Sequence, residues 1–184
     1  MIPKLVMLDR DGVLNRDRPD SVKNPAELEL LEGAAAAVAR LNHFGCKVAL
    51  VSNQSLVGRG IISADMLELI QRHLTDRLVR AGARLDAMFV CTDPPGPPSL
   101  RRKPAPGMLR EAMQQFGVTP YQTVMIGDDL RDLQAAAAAG CARILVRSGK
   151  GAAVQAAGLP SDVLPVAVHA DLAAAVDALL AEQS

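Results

Sequence analysis

Short apolar runs alternating with longer helical stretches constrain this chain more than any other feature. The runs Leu5–Leu8, Val48–Val51, Ala87–Cys91, Thr123–Ile126 and Ile144–Val146 are hydrophobic at successive positions rather than at every second one. A strand with one wet face alternates apolar and polar, whereas one covered on both faces has no such need. A sixth run, Val163–Val168, follows. Between the runs lie helical patterns at 33–44, 63–81, 106–117, 129–139 and 170–182, with Ser63 before ADMLELIQ, Pro106 at an opening turn, and Gly82 and Gly140 just past helix ends. This order predicts an α/β fold: a Rossmann-like parallel sheet with helices on both faces. No interruption is long enough for a second domain, so residues 1–184 are expected to form one.

Composition narrows the class. Lys+Arg and Asp+Glu both total 20, with no basic stripe, so no nucleic-acid partner is expected and any attraction for phosphate must be local. One Tyr, three Phe and no Trp offer little to stack on bases, while the many alanines suit closely packed helices. The cysteines, Cys46, Cys91 and Cys141, are far apart and form no CxxC pair, which argues for a reducing compartment. The N-terminus MIPKLVMLD meets charge at once, and no apolar stretch is long enough to cross a bilayer. A cytoplasmic protein with no membrane partner, acting as a monomer, is expected. The segment Thr92–Pro104, TDPPGPPSLRRKP, is too rich in proline for either regular element and reads as a stiff loop.

In an open parallel sheet, ligands bind beyond the carboxyl ends of the strands. The first strand delivers Asp9 and Asp11, the second Ser52 and Asn53, the fourth Asp128 and Asp129, and the Pro-rich loop ends in Arg102 and Lys103. Taken alone, D-x-D-G is an ordinary polar turn. Taken together, two carboxylate clusters, a hydroxyl and a lysine gather at one edge. Converging carboxylates repel unless a cation neutralises them, and an all-oxygen set suits Mg²⁺. The side chains of Asp9 and Asp128 and the backbone carbonyl of Asp11 are the expected ligands. Lys103 and Ser52 are placed to hold a phosphoryl group. Asp9 is placed to attack phosphorus, and Asp11, two residues on, to protonate the leaving oxygen and then activate water. The loop Asn53–Gly60, beginning Asn53-Gln54-Ser55, and the loops Arg16–Lys23 and Thr92–Arg102 are the expected sources of substrate contacts.

These residues, in this order over 5–132, resemble the four motifs of the haloacid dehalogenase (HAD) superfamily of phosphohydrolases. DRDGVLN at 9–15, SNQS at 52–55, GRG at 58–60, RKPAPGM at 102–108, GDDLRD at 127–132 and LVRSGKG at 145–151 are similar to its subgroup acting on small phosphorylated metabolites, namely heptose 1,7-bisphosphate and histidinol phosphate. The resemblance implies a HAD-like fold without a cap domain, Mg²⁺ dependence and a small phosphorylated metabolite as substrate. It implies Asp9 as nucleophile, Asp11 as acid and base, Asp128 on the metal, Ser52 and Lys103 on the phosphoryl group, and Arg102 in substrate recognition.

The chain also departs from these relatives, which usually carry a zinc loop, C-x-H then C-x-C, before R-K-P. The corresponding positions here are Cys91, Asp93, Ser99 and Arg101. A structural zinc site needs four N or S ligands, so no structural zinc is expected, and Pro94, Pro95, Pro97 and Pro98 are expected to stiffen the loop instead. Leu56 stands where the relatives tend to have Gly, and Asp129 where some have Lys. His43, His73 and His169 have no metal-site spacing, and Cys91 reads as a buried apolar side chain. A phosphorylation-switched signalling domain also collects acids and a lysine at strand ends. Its motif order differs from this one, and Asp93 is the sole acceptor candidate on the third strand. A binding relic without turnover is disfavoured because every catalytic position is filled.

Overall fold

A computed structural model describes residues 2–181. Six strands, β1 (Leu5–Leu8), β2 (Lys47–Asn53), β3 (Ala87–Cys91), β4 (Thr123–Gly127), β5 (Ala142–Val146) and β6 (Ala167–His169), form one sheet in the order β3-β2-β1-β4-β5-β6. Every pairing is parallel. The helices are α1 (Ala34–His43), α2 (Ala64–Arg80), α3 (Gly107–Phe116), α4 (Leu130–Ala139), α5 (Gly151–Ala156) and α6 (Leu172–Ala181).

Two-sided burial explains the continuous apolar runs. In β1, all four residues are fully buried, and they part by the period of two. Val6 and Leu8 join the core beneath α1, α2 and α6, with Val38, Leu41, Ile70, Leu74 and Val176. Leu5 and Met7 join the opposite core, with Met108, Leu109 and Ala112 of α3 and Ala135 and Ala136 of α4. Small alanines let α4 lie close to the sheet.

Helix ends follow the expected local chemistry. Ser63 caps α2, its hydroxyl accepting from the N–H of Met66 at 3.1 Å. Gly140 closes α4 with φ of 77°. Pro106 stands just before α3 rather than inside it. Two expectations are corrected. The sixth run is not one strand: Val163 belongs to a 3-10 turn, Ser161–Val163, and is buried against Leu133 and Leu145, while β6 begins only at Ala167. Helix α5 was not expected. It is six residues long, and its Gly151 lies so close to the carbonyl of Val146 that any Cβ there would overlap it.

The sheet order reverses between β1 and β4, where consecutive crossovers leave to opposite sides. A crevice opens at the carboxyl ends of strands at such a switch point. Asp9 follows β1 and Asp128 follows β4, so both acids stand at that crevice.

Candidate active site

The first loop is built tightly around Asp9. The N–H of Asp9 donates to the carbonyl of Ile126 (3.1 Å), carrying the β1–β4 ladder one residue further, and the carbonyl of Arg10 receives the N–H groups of Leu14 (2.8 Å) and Asn15 (3.2 Å). Gly12 turns the chain at φ of +83°. A Cβ on Gly12 would sit 2.1 Å from Oδ2 of Asp128, so glycine is required by the approach of the fourth-strand acid as well as by the turn.

Asp9 uses Oδ1 to accept the N–H of Arg10 (2.8 Å) and to face Nζ of Lys103 (3.1 Å). Its Oδ2 has no partner among the described residues. Asp11 is held by three side chains: Nη2 of Arg10 (3.0 Å), Nδ2 of Asn15 (2.9 Å) and Nε2 of Gln54 (2.9 Å). Burial works to raise the pKa of Asp11, but the charge of Arg10 and the bonds from Asn15, Gln54 and Arg10 outweigh it, and the net direction is down.

Lys103 is buried to 2% exposure, and its ammonium is shared among three oxygens. It donates to the carbonyl of Val51 (2.7 Å) and pairs with Oδ1 of Asp132 (2.6 Å) and of Asp9 (3.1 Å). Burial alone would lower its pKa; Asp132 and Asp9 reverse that, so the group stays charged. Asn53 fixes its backbone from both sides, accepting the N–H of Lys103 (3.0 Å) and donating to its carbonyl (2.9 Å).

Ser52 lies inside β2, with Oγ accepting from Nε2 of Gln54 (3.0 Å). Gln54, expected among the substrate contacts, is instead buried at 4% exposure and bridges Ser52 to Asp11. Asn53, Ser55 and Arg102 do line the cavity. Leu56 takes no positive φ; it is buried at 4% exposure and anchors its loop to the core.

One residue that spacing did not single out as a partner of Lys103 is central here. Asp132 is buried, its Oδ1 on Lys103 and its Oδ2 accepting the N–H of Asp129 at 3.1 Å. Both oxygens are therefore used in fixing the lysine and the first turn of α4. Lys103 and Asp132 are remote in sequence, so only the folded sheet reveals the pair.

Carboxylate oxygens of Asp9, Asp128 and Asp132 lie within 4.8 Å of one another. Burial, then the charge of Asp9, pushes the Asp128 carboxyl up to about 8. Burial and Asp9 also raise Asp132, to about 6, against the pull of Lys103. Hard oxygen donors crowded in this way, with the ionised forms of Asp128 and Asp132 disfavoured, fit a divalent cation such as Mg²⁺, which would relieve the repulsion. Asp9 and Asp128 would be the better ligands, since both oxygens of Asp132 are already used by Lys103 and the N–H of Asp129.

The loop after β5 presses on this cluster from a third side. The N–H of Lys150 donates to Oδ2 of Asp128 (2.8 Å), and Oγ of Ser148 donates to the carbonyl of Gly12 (2.7 Å). The cavity thus enclosed measures about 140 Å³. At its rim Asp129 caps α4 and grips Arg131, accepting its backbone N–H (3.0 Å), Nε (3.0 Å) and Nη2 (2.8 Å).

Across the rim, the four positions of the Pro-rich loop do converge. Oγ of Ser99 donates to Oδ2 of Asp93 (2.6 Å), lies 3.9 Å from Sγ of Cys91, and accepts the N–H groups of Arg101 (3.2 Å) and Arg102 (2.9 Å). The guanidinium of Arg101 turns away to Glu111, with bonds of 2.8 and 3.0 Å.

This geometry has parallels. The HAD-hydrolase-like family model matches residues 100–175. The chain is 41% identical over 180 residues to D-glycero-beta-D-manno-heptose-1,7-bisphosphate 7-phosphatase of Bordetella bronchiseptica, covering 97% of this chain and 99% of the relative. It is 36% identical over 180 residues to the protein of the same name from Pseudomonas aeruginosa, covering 98% and 99%. A crystal structure of the D,D-heptose 1,7-bisphosphate phosphatase of B. bronchiseptica, complexed with magnesium and phosphate, superposes with a TM-score of 0.92, covering 97% of this chain and 99% of that one.

Proposed function

This chain belongs to the HAD-like hydrolases and is a phosphomonoester hydrolase, and we propose that it removes the 7-phosphate of D-glycero-D-manno-heptose 1,7-bisphosphate through an aspartyl-phosphate on Asp9. The observation that carries this reading is the convergence of Asp9, Ser52, Lys103 and Asp128 on one cavity in a chain 41% identical, across 97% of its length, to a phosphatase of that name.

Asp9 attacks phosphorus with Oδ2, its other oxygen being held by Lys103 and the N–H of Arg10. An Asp9 O–P bond forms as the P–O bond to the sugar breaks. Lys103 and Ser52 face the phosphoryl oxygens on which charge builds. The side chains of Asp9 and Asp128 and the backbone carbonyl of Asp11 would hold Mg²⁺, which when bound would supply positive charge to offset the phosphoryl group.

Asp11 is a carboxylate in the free protein because its three donors depress its pKa. The entering phosphoryl charge pushes that pKa back up, so Asp11 arrives protonated and gives its proton to the leaving sugar oxygen. It is then the base that takes a proton from water. The water attacks phosphorus, the Asp9 O–P bond breaks, and inorganic phosphate leaves.

A single-domain monomer remains the expectation, and light scattering at assay concentration tests it. We place no structural zinc in the Pro-rich loop, since Ser99 already ties together the positions a metal would join.

The test is a Mg²⁺-dependent turnover screen of phosphorylated metabolites, both heptose 1,7-bisphosphate anomers and histidinol phosphate included, with Asp9→Asn as the inactive control. The expected result is preferential release of the 7-phosphate of the heptose, with the beta anomer favoured because both relatives described above are named for it. Faster turnover of histidinol phosphate would replace this substrate assignment. Activity retained by Asp9→Asn would remove the covalent step.

A further inference from the structure

The phosphoryl cavity, at about 140 Å³, falls below the roughly 300–1,000 Å³ usual for a complete small-molecule site. It holds the reacting end of a substrate and little more. The remainder has to pass over the rim. One neighbouring cavity, of about 340 Å³, shares Arg102, Lys103 and Arg131 with the first and is otherwise walled by the Pro-rich loop, Pro95, Pro97 and Ser99 among its residues.

Lys103 is fully engaged with Val51, Asp132 and Asp9. The two arginines are not. Arg102 gives Nη1 to the carbonyl of Asp93 (3.0 Å), and its Nε and Nη2 have no partner among the described residues. Arg131 is steered by Asp129 through Nε and Nη2, which leaves Nη1 without a partner among the described residues. The two guanidinium groups are close enough that Arg131, after burial, helps to lower the pKa of Arg102. Both arginines line both cavities, so their unused N–H donors stand at the neck where an anion can settle between them.

We infer that Arg131, together with Arg102, binds a second phosphate group on the non-reacting end of the substrate, and that Asp129 is the positioning residue that aims Arg131 at it. This deepens the proposed function and rests on it. The chemistry required is a phosphate dianion meeting guanidinium N–H donors, separated from the reacting phosphate by the length of a sugar. Helix α4 serves both ends. Asp132 in its first turn fixes Lys103 at the reacting phosphate, and Arg131, one residue before, faces the distal one.

The experiment compares heptose 1,7-bisphosphate with heptose 7-phosphate in the wild type, Arg131→Gln and Arg131→Lys. Arg131→Gln is expected to lower the ratio of kcat/KM for the bisphosphate to kcat/KM for the monophosphate by about tenfold or more, the scale of one charged hydrogen bond. The loss should lie mainly in KM, and Arg131→Lys should recover part of it. Equal losses on both substrates, or no loss on either, overturn the subsite, and matched melting curves identify a variant that has merely unfolded. Wild-type protein that hydrolyses p-nitrophenyl phosphate but not the bisphosphate overturns the substrate assignment itself. Wild-type turnover of the bisphosphate with an unchanged ratio in Arg131→Gln overturns the subsite alone.

Discussion

Gln54 is buried beside the proposed acid–base and the proposed phosphoryl-binding hydroxyl and is bonded to both. Its amide nitrogen donates at once to Oδ2 of Asp11 (2.9 Å) and Oγ of Ser52 (3.0 Å), and its own backbone N–H is fixed on the carbonyl of Cys91 (2.7 Å). A side chain so placed sets the angle of the acid–base and the rotamer of the hydroxyl together. Gln54→Leu keeps the approximate bulk and removes both bonds. It is expected to reduce kcat by about 10- to 100-fold with a much smaller change in KM, because the groups it orients act mainly in the transition state. Stopped-flow measurement with p-nitrophenyl phosphate should show breakdown of the phospho-enzyme slowed more than its formation. An effect confined to KM would instead make Gln54 a substrate contact. At this scale the sequence was legible where chemistry and position coincide: Asp9, Asp11 and Asp128 end buried runs and had few other places to be. It was not legible for the bonds of Gln54 or for the pairing of Asp132 with Lys103, which depend on which distant side chain each meets.

At the scale of elements, the loop joining β5 to α5 closes the site. Gly149 has φ of +59°, and a Cβ there would stand 2.1 Å from Oδ2 of Asp128 and 2.6 Å from Cα of Gly12. Gly149→Ala must therefore move Asp128 or the loop that holds it, so the carboxylate loses its alignment and the N–H of Lys150 as partner. Supporting contacts of this kind tune metal affinity by about 10- to 100-fold. The expected outcome is a weakening of Mg²⁺ binding of at least about tenfold by titration calorimetry, with the helical circular dichroism signal kept. Unaltered Mg²⁺ affinity would mean that the loop is only a neighbour. The segment also marks where sequence reading stops at this scale. Strands β1, β2 and β4 were legible because burial on both faces leaves an unbroken apolar run, and the buried end of β5 and the apolar edge strand β3 follow the same pattern less fully. Helix α5 offers just six residues, too few for a 3.6-residue period to stand out. The run containing β6 misled for another reason: Val163 is apolar because it plugs a gap against Leu133 and Leu145, not because it belongs to the sheet.

For the whole molecule, the question is what holds the Pro-rich wall of the site to the sheet. Ser99 draws Asp93, Arg101 and Arg102 together by hydrogen bonds, Arg101 is anchored on Glu111 of α3 and on the carbonyl of Val90 (3.2 Å), and Gly58 lies so near the carbonyl of Thr92 that a Cβ would be 2.2 Å from it. These ties join the loop to α3, β3 and the loop after β2, using groups a zinc ion would otherwise bring together. A structural zinc contributes folding free energy outright, on the order of 10 kcal/mol in small zinc peptides. In a chain of this size each 1 kcal/mol moves Tm by about 2–4 °C, so stripping even a fraction of such a site would lower Tm by roughly 10 °C or more. In magnesium-free buffer, a zinc-selective chelator is therefore expected to leave Tm within about 1 °C. Metal analysis of the purified protein should find zinc far below one per chain, and chelating magnesium should abolish turnover without unfolding the sheet. Stoichiometric zinc, or a collapse of Tm on chelation, would transfer the stability of this wall from Ser99 and Arg101 to a metal. The neck between the two cavities would then be shaped by that metal, and the setting of Arg102 would have to be derived again from its coordination.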